Sequence, residues 1–224
     1  MKNCYRILLV MWLLGLAAVS AWGSPSLGGY TGLINVPNAD ALAASEFNVG
    51  WVNHQFDGKD LNNYFGNYGL PVGGETTVEV GVNVLHPEDE DQETLLSAKW
   101  AIRPEAEGTP GFAVGVIDAT DMLETTVYIA GSKILTAGPL DVFGGEILNP
   151  RLTVGLGGGS LDGLFAGLSA GLGKAMTLMA EYDSNNVNVG ARIRLYKGLG
   201  AQGGWLDVGG EDDFSVGVYY SSAR

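Results

Sequence analysis

The sequence has few of the residues that would support disulfides, metal sites or helical membrane spans. Its single cysteine is Cys4, and its two histidines are His54 and His86. Because Cys4 lies ahead of an apolar run near the N-terminus, the chain beyond that run has no disulfide and no thiol nucleophile. No later apolar stretch approaches the ~20 residues of a transmembrane helix. Any membrane-spanning part must therefore consist of β-strands.

Basic residues are scarce as well. The chain has 12 lysines and arginines against 25 aspartates and glutamates, which gives a formal net charge of −13 at pH 7. Nucleic acid repels a chain of this charge, so no nucleic-acid partner is expected. Glycine is abundant, with 35 residues, but 46% of the residues are hydrophobic and they alternate in order with polar ones. This composition disfavours low-complexity disorder.

The first 23 residues have the composition of a secretory signal peptide. Lys2 and Arg6 form a basic start, and Ile7–Val19 is an apolar run too short for a membrane-spanning helix. Small residues follow, so that Val19-Ser20-Ala21 and Ala21-Trp22-Gly23 are both candidate cleavage sites. We therefore predict a signal peptide over residues 1–23 and export through the inner membrane.

A period of two in the apolar residues is clearest over Ala175–Tyr196. Side chains of a strand point alternately to opposite faces, so this pattern predicts a hairpin with one apolar face. The other face carries glycine and charged residues, as in the wall of a transmembrane barrel. A two-residue turn at Asn185-Asn186 would place Glu181 opposite Gly190 and diagonal to Arg192. The apolar face consists of Met176, Leu178, Ala180, Tyr182, Val187, Val189, Ala191, Ile193 and Leu195.

The same alternation recurs along the chain and predicts an all-β fold, an antiparallel up-and-down transmembrane β-barrel of about 12 strands with a short N-terminal segment. The barrel is expected over residues 46–224. Residues 24–45 are expected to form a periplasmic or plug segment with a short helix over Ala39–Ser45. The predicted strands are Glu46–Phe56, Glu75–Leu85, Glu93–Arg103, Gly111–Asp118, Leu123–Lys133, Pro139–Leu148, Arg151–Gly157, Leu161–Leu172, Met176–Tyr182, Val187–Leu195, Leu199–Asp207 and Asp213–Ser221.

The lengths of the predicted connections favour the outer membrane. Asp57–Gly74 reads as a long outer loop, whereas Asn149-Pro150 and Gly173-Lys174 read as short periplasmic turns. Long outer loops and short inner turns are typical of outer-membrane barrels. Glycines on the non-apolar face fit the limited space inside a small barrel. These are Gly81, Gly115, Gly155, Gly167, Gly171, Gly190 and Gly217.

Two stretches resemble the YjbH-like family of outer-membrane proteins associated with exopolysaccharide biosynthesis. The first runs Gly29-Tyr-Thr-Gly-Leu-Ile-Asn-Val-Pro-Asn-Ala, followed by Phe47-Asn-Val-Gly-Trp. The second is Leu178–Arg192, which is similar to the family's C-terminal hairpin. The resemblance implies an outer-membrane β-barrel that assists polysaccharide secretion or surface assembly. It implies no catalytic residues. The lipid bilayer and the polysaccharide or envelope secretion proteins would be its partners.

Five charged residues share the non-apolar faces of the predicted strands. A charged lumen built from them would select or guide a solute. Alternatively, they would form a structural ion-pair network that plugs the lumen, which is the more common arrangement in a barrel of this size. The five residues are Glu79, Lys99, Glu181, Arg192 and Arg194.

Other candidate chemistry is weak. A hydrolase would need His54 beside a serine, and no Gly-x-Ser-x-Gly motif is present. Pro87–Glu93 and Asp57–Asp60 carry carboxylates without the spacing of an EF-hand, so solvated acidic turns are expected instead of a cation site. We therefore expect no catalytic residue, metal or cofactor. A soluble periplasmic barrel that binds a small ligand and a small outer-membrane hydrolase are the alternatives to the non-enzymatic outer-membrane barrel.

Overall fold

The computed structural model describes residues 23–222 except 57, 75, 89, 137, 143–144 and 211–212. The predicted signal peptide lies outside the described residues apart from Gly23. All neighbouring strands pair antiparallel. The strands are β1 (Phe47–Phe56), β2 (Lys59–Gly73), β3 (Thr76–Pro87), β4 (Glu93–Arg103), β5 (Gly111–Ile117), β6 (Thr126–Ile134), β7 (Pro139–Val142), β8 (Gly145–Gly157), β9 (Gly163–Leu172), β10 (Met176–Tyr182), β11 (Val187–Arg194), β12 (Leu199–Leu206) and β13 (Asp213–Ser221).

Two pairings close the sheet into a barrel. The first strand, β1, pairs with the last, β13, and β6 pairs with β8. The short strand β7 pairs with the first residues of β8, outside the ring. The ring therefore has twelve strands, β1–β6 and β8–β13. The predicted all-β class, antiparallel arrangement and twelve-stranded barrel are confirmed.

Two errors in the predicted strands cancel in this count. Asp57–Gly74 was predicted to be a loop, but its larger part is β2, paired with β1 and β3 along its length. Pro139–Leu148 and Arg151–Gly157 were predicted as two strands joined by a turn at Asn149-Pro150. There β8 continues through a bulge that adds one residue, with Asn149 at φ +48°. The bulge accommodates the proline that the prediction treated as a strand end.

Because of these two errors, the predicted difference between outer loops and inner turns is wrong. We call the end where β1 begins and β13 ends the terminal end, and the other the opposite end. The connections after β4 and β6 lie at the terminal end, together with the tight turn after β9. The acidic turn after β3 lies at the opposite end, as do the turns after β1 and β10. Long and short connections therefore occur at both ends.

The hairpin of β10 and β11 forms where predicted, but with a different register. Glu181 pairs with Asn188 and not with Gly190, and Arg192 lies across from Thr177. The cause is Asp183, whose Oδ1 accepts hydrogen bonds from the backbone N–H groups of Asn185 at 3.2 Å and Asn186 at 2.8 Å. These bonds draw residues 183 and 184 into the turn and shift the register by two.

The two faces of the barrel wall differ in chemistry. Val187, Val189 and Ile193 point outward and are exposed, whereas Glu181 and Arg192 point inward and are buried. The same division holds around the ring, because large apolar side chains are exposed on every strand of the ring. Among the described residues, no helix is long and apolar enough to cross a membrane.

Candidate functional site: the barrel lumen and its N-terminal segment

Residues 23–46 are called the inner segment below: residues 23–42 lie inside the barrel, and residues 43–46 lead to β1 at the terminal end. Side chains from strands around the ring bind its backbone, which requires a position within the lumen. Leu27, Leu33, Ile34 and Leu42 are 0–4% exposed. The contacting wall residues lie on β1, β2, β3, β4, β6, β8, β10, β11 and β12: Asn48, Asn63, Asn67, Asn83, Glu79, Lys99, Ser132, Arg151, Glu181, Arg192 and Gln202.

The inner segment has little secondary structure of its own. It contains two isolated bridges, Pro25 with Thr31 and Gly32 with Pro37, and the predicted helix over Ala39–Ser45 is wrong. A buried backbone N–H or C=O group without a partner is costly. Six backbone hydrogen bonds lie within the inner segment, and the wall must supply partners for the other buried groups. This requirement explains why the inward face is rich in polar residues.

Two glutamates of the wall bind backbone N–H groups of the inner segment. Glu79 accepts hydrogen bonds from the N–H groups of Thr31 and Leu42, both at 2.9 Å, and from the Thr31 hydroxyl. Glu181 accepts bonds from three successive N–H groups, those of residues 34–36, at 2.9, 2.6 and 3.2 Å. Hydrogen bonds to a carboxylate are stronger than those between neutral groups. Each glutamate therefore anchors one stretch of the inner segment.

Two basic side chains bind carbonyl groups of the same segment. The Lys99 ammonium donates to the carbonyl oxygens of Thr31 and, at 3.0 Å, Asp40. One terminal nitrogen of Arg192 donates to the carbonyls of residues 25, 32 and 33 at 2.5, 3.2 and 3.1 Å. Lys99 and Arg192 are buried, so these carbonyls satisfy charges that have little access to water.

Four of the five predicted lumen residues thus bind the inner segment. None of the three ion pairs seen in the described part of the chain joins two of the five. Instead, Glu79, Lys99, Glu181 and Arg192 bind the backbone of the inner segment. Arg194 lies apart from them: it is exposed at the terminal end and donates to the Lys174 carbonyl at 3.0 Å.

Sequence reasoning missed a buried ion-pair triad. Arg151 on β8 contacts the Asp40 carboxylate with both terminal nitrogens and Glu105 Oε2 at 3.0 Å. Asp40 belongs to the inner segment and Glu105 to the connection after β4. The alternation that assigns Arg151 to the inward face was overlooked, because Arg151 was predicted to begin a separate strand. Its spacing of two from Thr153 would have placed it on the inward face.

Asparagines also hold the inner segment, and several of them lie in the stretch predicted to be a loop. Asn67 donates to the Gly29 carbonyl at 2.7 Å, and Asn63 donates to the Leu27 carbonyl at 3.4 Å. On β3, Asn83 donates to the Gly28 carbonyl at 2.5 Å. These amides made β2 resemble a loop in the sequence, yet they are the inward residues of a strand.

The hydroxyl of Tyr30 makes a hydrogen bond within the inner segment. It donates to the Asn35 carbonyl. Burial raises the pKa of the Tyr30 hydroxyl far above its ordinary value of 10.0, and the carboxylates of Glu181 and Asp183 raise it further. The hydroxyl therefore stays protonated and serves as a donor that closes a loop of the inner segment.

A cavity of about 770 Å³ lies between the inner segment and the wall at the terminal end. It has both charged and apolar walls and reaches the exposed connection after β4. Such a mixed lining suits a polar ligand with some apolar surface. Its lining includes Asp40, Glu105, Lys133, Arg151, Arg192 and Arg194, with Leu33, Leu148, Met176, Met179 and Tyr219.

The wall places His54 beside a serine, as a hydrolase would require. His54 Nδ1 lies 2.8 Å from Ser215 Oγ, and the imidazole stacks on Phe56 with ring centroids 5.3 Å apart. However, Ser215 is 0% exposed, and neither residue lines the cavity at the terminal end or the groove on the outer wall described below. A substrate has no path to the hydroxyl in this conformation. Among the described residues, no group of three or more His, Cys, Asp or Glu side chains is arranged to hold a metal.

A scan against protein-family models and a search of curated proteins find no match to this chain.

Proposed function

We propose that the chain is an integral outer-membrane β-barrel, closed by its own inner segment, with a non-enzymatic role in envelope polysaccharide secretion or surface assembly. The observation that carries the membrane placement is the outer face of β9–β13. Its outward positions hold no Asp, Glu, Lys or Arg, while Glu181 and Arg192 on the same strands are buried. This is the distribution that a hydrocarbon surrounding selects.

Aromatic residues at both ends of the wall support this placement. At the terminal end, the rings of Phe47 and Tyr220 lie 5.9 Å apart on neighbouring strands. At the opposite end, the rings of Trp205 and Phe214 lie 5.3 Å apart. Barrels of the outer membrane carry such aromatic girdles where the wall meets the head groups.

The soluble-barrel alternative fits this surface poorly. A barrel in water would place its polar side chains outside and its apolar ones inside. Here Leu156, Leu164 and Trp205 are more than half exposed, and they belong to an apolar surface that extends over many strands. Continuous exposed apolar surfaces of this kind mark contact with protein or membrane.

The polysaccharide role rests on the resemblance described above, and the cavity at the terminal end supplies a surface for it. A saccharide presents hydroxyl groups that form hydrogen bonds and ring faces that pack on apolar side chains, so it needs a lining of both kinds. The cavity combines charged side chains, such as Arg194, with apolar ones, such as Met176. Since the inner segment fills the lumen beside it, we propose a closed barrel that contacts polysaccharide or a secretion protein from the terminal end, and not an open diffusion pore.

Cell fractionation tests the membrane placement. We expect the protein in the outer-membrane fraction after a carbonate wash, with a gel mobility that changes on heating, because the folded barrel resists the detergent until heated. Recovery in the periplasmic fluid would contradict the proposal and support a soluble barrel.

A deletion strain tests the polysaccharide role separately. We expect less surface polysaccharide on deletion and recovery on complementation with the wild-type chain. Arg194→Ala should complement less well than Lys197→Ala, because Arg194 lines the cavity whereas Lys197 lies in the turn after β11 and not among the lining residues. Unchanged polysaccharide in a deletion strain, with the wild-type barrel shown to be in the outer membrane, would reject the role and leave the membrane placement intact.

A further inference from the structure

A groove of about 410 Å³ lies on the outer wall, across β5, β6, β8 and β9. It is centred on Gly131, an outward position of β6 that pairs with Phe112 on β5 and Val154 on β8. Because Gly131 has no side chain, the Phe112 ring packs against it, with Cε1 3.1 Å from where a Cβ would stand, and the wall is indented beside that ring. The apolar lining consists of Phe112, Ile129, Leu152, Val154, Leu156 and Leu164.

Two cationic side chains lie at the terminal end of this groove. Lys133 lines the groove two residues beyond Gly131, and its side chain is 32% exposed. The guanidinium of Arg103 lies 4.9 Å from the centroid of the Phe112 ring, and Arg103 pairs with Phe112 across the strands. Two of the 12 basic residues of the chain thus lie at the mouth of one apolar groove, and Glu105 lies beside one of them, Lys133.

Both cations are oriented by the protein. The Lys133 ammonium donates to the carbonyls of Ala106 at 3.1 Å and Thr109 at 3.4 Å, and it lies 3.8 Å from Glu105 Oε1. Arg103 donates to the Pro110 carbonyl through Nε and Nη2 at 3.2 and 2.9 Å. An ammonium has three donors and a guanidinium five, so each retains capacity for a phosphate oxygen.

We propose that this groove binds one glycerophospholipid of the periplasmic leaflet, with an acyl chain over Gly131 and the phosphate at Lys133 and Arg103. The inference rests on the proposed membrane placement, in which the terminal end faces the periplasm. Charge complementarity selects the occupant: an apolar groove that ends at two cations matches a molecule with an apolar chain and an anionic head. A second copy docked here about a twofold axis would bring the same cations toward each other.

Native mass spectrometry of the purified barrel in detergent tests the site, with palmitoyl-oleoyl phosphatidylglycerol as the probe. We expect one retained lipid on the wild-type chain. Lys133→Gln should weaken binding about fivefold, the size expected of one partly exposed ionic contact. Lys133→Arg should retain it, and Gly131→Leu should abolish it by filling the groove. Diacylglycerol with the same chains lacks the phosphate and therefore both ionic contacts, so it should bind about 25-fold more weakly, and inorganic phosphate alone should not bind.

Gly66→Leu and Lys197→Gln are the matched controls. Gly66 is an outward glycine of β2 whose added Cβ would meet the Val49 side chain at 3.7 Å, and Lys197 is a cation in a terminal-end turn. Both should bind the lipid as the wild type does, and all variants should keep heat-modifiable mobility.

Wild-type affinity in folded Gly131→Leu and Lys133→Gln would overturn the site. A dimer mass without lipid would also overturn it and assign the groove to a second copy. Either result in a protein recovered from the outer membrane would leave the proposed function standing, whereas recovery in the periplasm would remove the basis of both.

Discussion

Glu79 and Lys99 lie directly opposite each other on β3 and β4, and they bind the two sides of one residue of the inner segment, Thr31. Glu79 accepts the Thr31 N–H at 2.9 Å, and Lys99 donates to the Thr31 carbonyl. The pair thus satisfies both backbone polar groups of a residue that is 0% exposed. Opposite charges on neighbouring strands here hold a third element in place.

This arrangement predicts strong coupling between the two charges. Glu79→Ala and Lys99→Ala should each lower the free energy of unfolding by about 3–5 kcal/mol, because each leaves an uncompensated buried charge and an unpaired backbone group. The double variant should lose less than the sum, with an interaction energy of about 1–3 kcal/mol. Urea unfolding from lipid vesicles measures all three.

The control for this cycle is a pair of exposed charges, Glu146 and Lys197. Their alanine variants should each change the free energy of unfolding by no more than about 0.5 kcal/mol and should add without interaction. Additive losses for Glu79 and Lys99 would show that they do not act on the inner segment together.

A glycine at the wall of the lumen gives a second prediction. A Cβ on Gly69 would lie 2.0 Å from the backbone oxygen of Ala43 in the inner segment. Gly69→Ala should therefore destabilise the barrel by about 1–3 kcal/mol through overpacking. On the same strand, Gly66 faces outward, and its Cβ would make only ordinary contact with Val49 at 3.7 Å. Gly66→Ala should be neutral or stabilise by about 0.5–1 kcal/mol.

The melting temperatures of the two variants, determined from the change in gel mobility on heating, measure this difference in stability. Equal melting temperatures for Gly69→Ala and Gly66→Ala would contradict the position of the inner segment against β2.

The connection after β5 should loosen in acid. Burial raises the pKa of Asp118, but N–H donors at Leu123, Met122 and Glu124, together with the Thr120 hydroxyl, outweigh it and hold the pKa below its ordinary value of 3.8. A lowered pKa in the folded state means that the stabilisation is complete above the unfolded pKa and is lost as pH falls through the folded one. Proteolysis of residues 118–125 should therefore accelerate only in strong acid.

Asp118→Asn provides the comparison. The amide cannot accept all of these donors, so residues 118–125 should be cleaved faster at neutral pH, with a local loss of about 1–3 kcal/mol and little further dependence on pH. An acid response that is the same in the variant and the wild type would place the titrating group elsewhere.

The sequence was informative where inward residues are small or charged and outward ones are apolar. β3 and the hairpin of β10 and β11 were predicted within two residues, because valine, leucine and isoleucine alternate there with glycine and ionic residues. The inward glycines also followed this rule. In the structure, a Cβ on Gly167 would lie 2.5 Å from Leu33 and one on Gly190 3.1 Å from Ile34, so these two glycines give the inner segment room. Others make room for side chains of the wall: a Cβ on Gly155 would lie 2.0 Å from the Phe165 ring.

Two of the failures of prediction share one physical origin, the inner segment. Strand β2 was hidden because its inward side chains, Asn63 and Asn67, are matched to carbonyls of that segment and not to an apolar core. The partners of Glu181 could not be predicted because they are backbone groups more than 140 positions away along the chain. Local periodicity determines which face a residue occupies, but only the folded path determines what it meets there.

Nitroxide labels on the wall test the central claim, that the apolar outer face meets acyl chains while the charged face is enclosed. Val189→Cys points outward on β11, and Arg194→Cys, on the same strand, is at the exposed terminal end. In a reconstituted bilayer, we predict that the label at 189 relaxes strongly with oxygen, which dissolves in hydrocarbon, and weakly with a water-soluble nickel chelate. The label at 194 should show the reverse. Strong relaxation at position 189 by the nickel chelate would contradict the account.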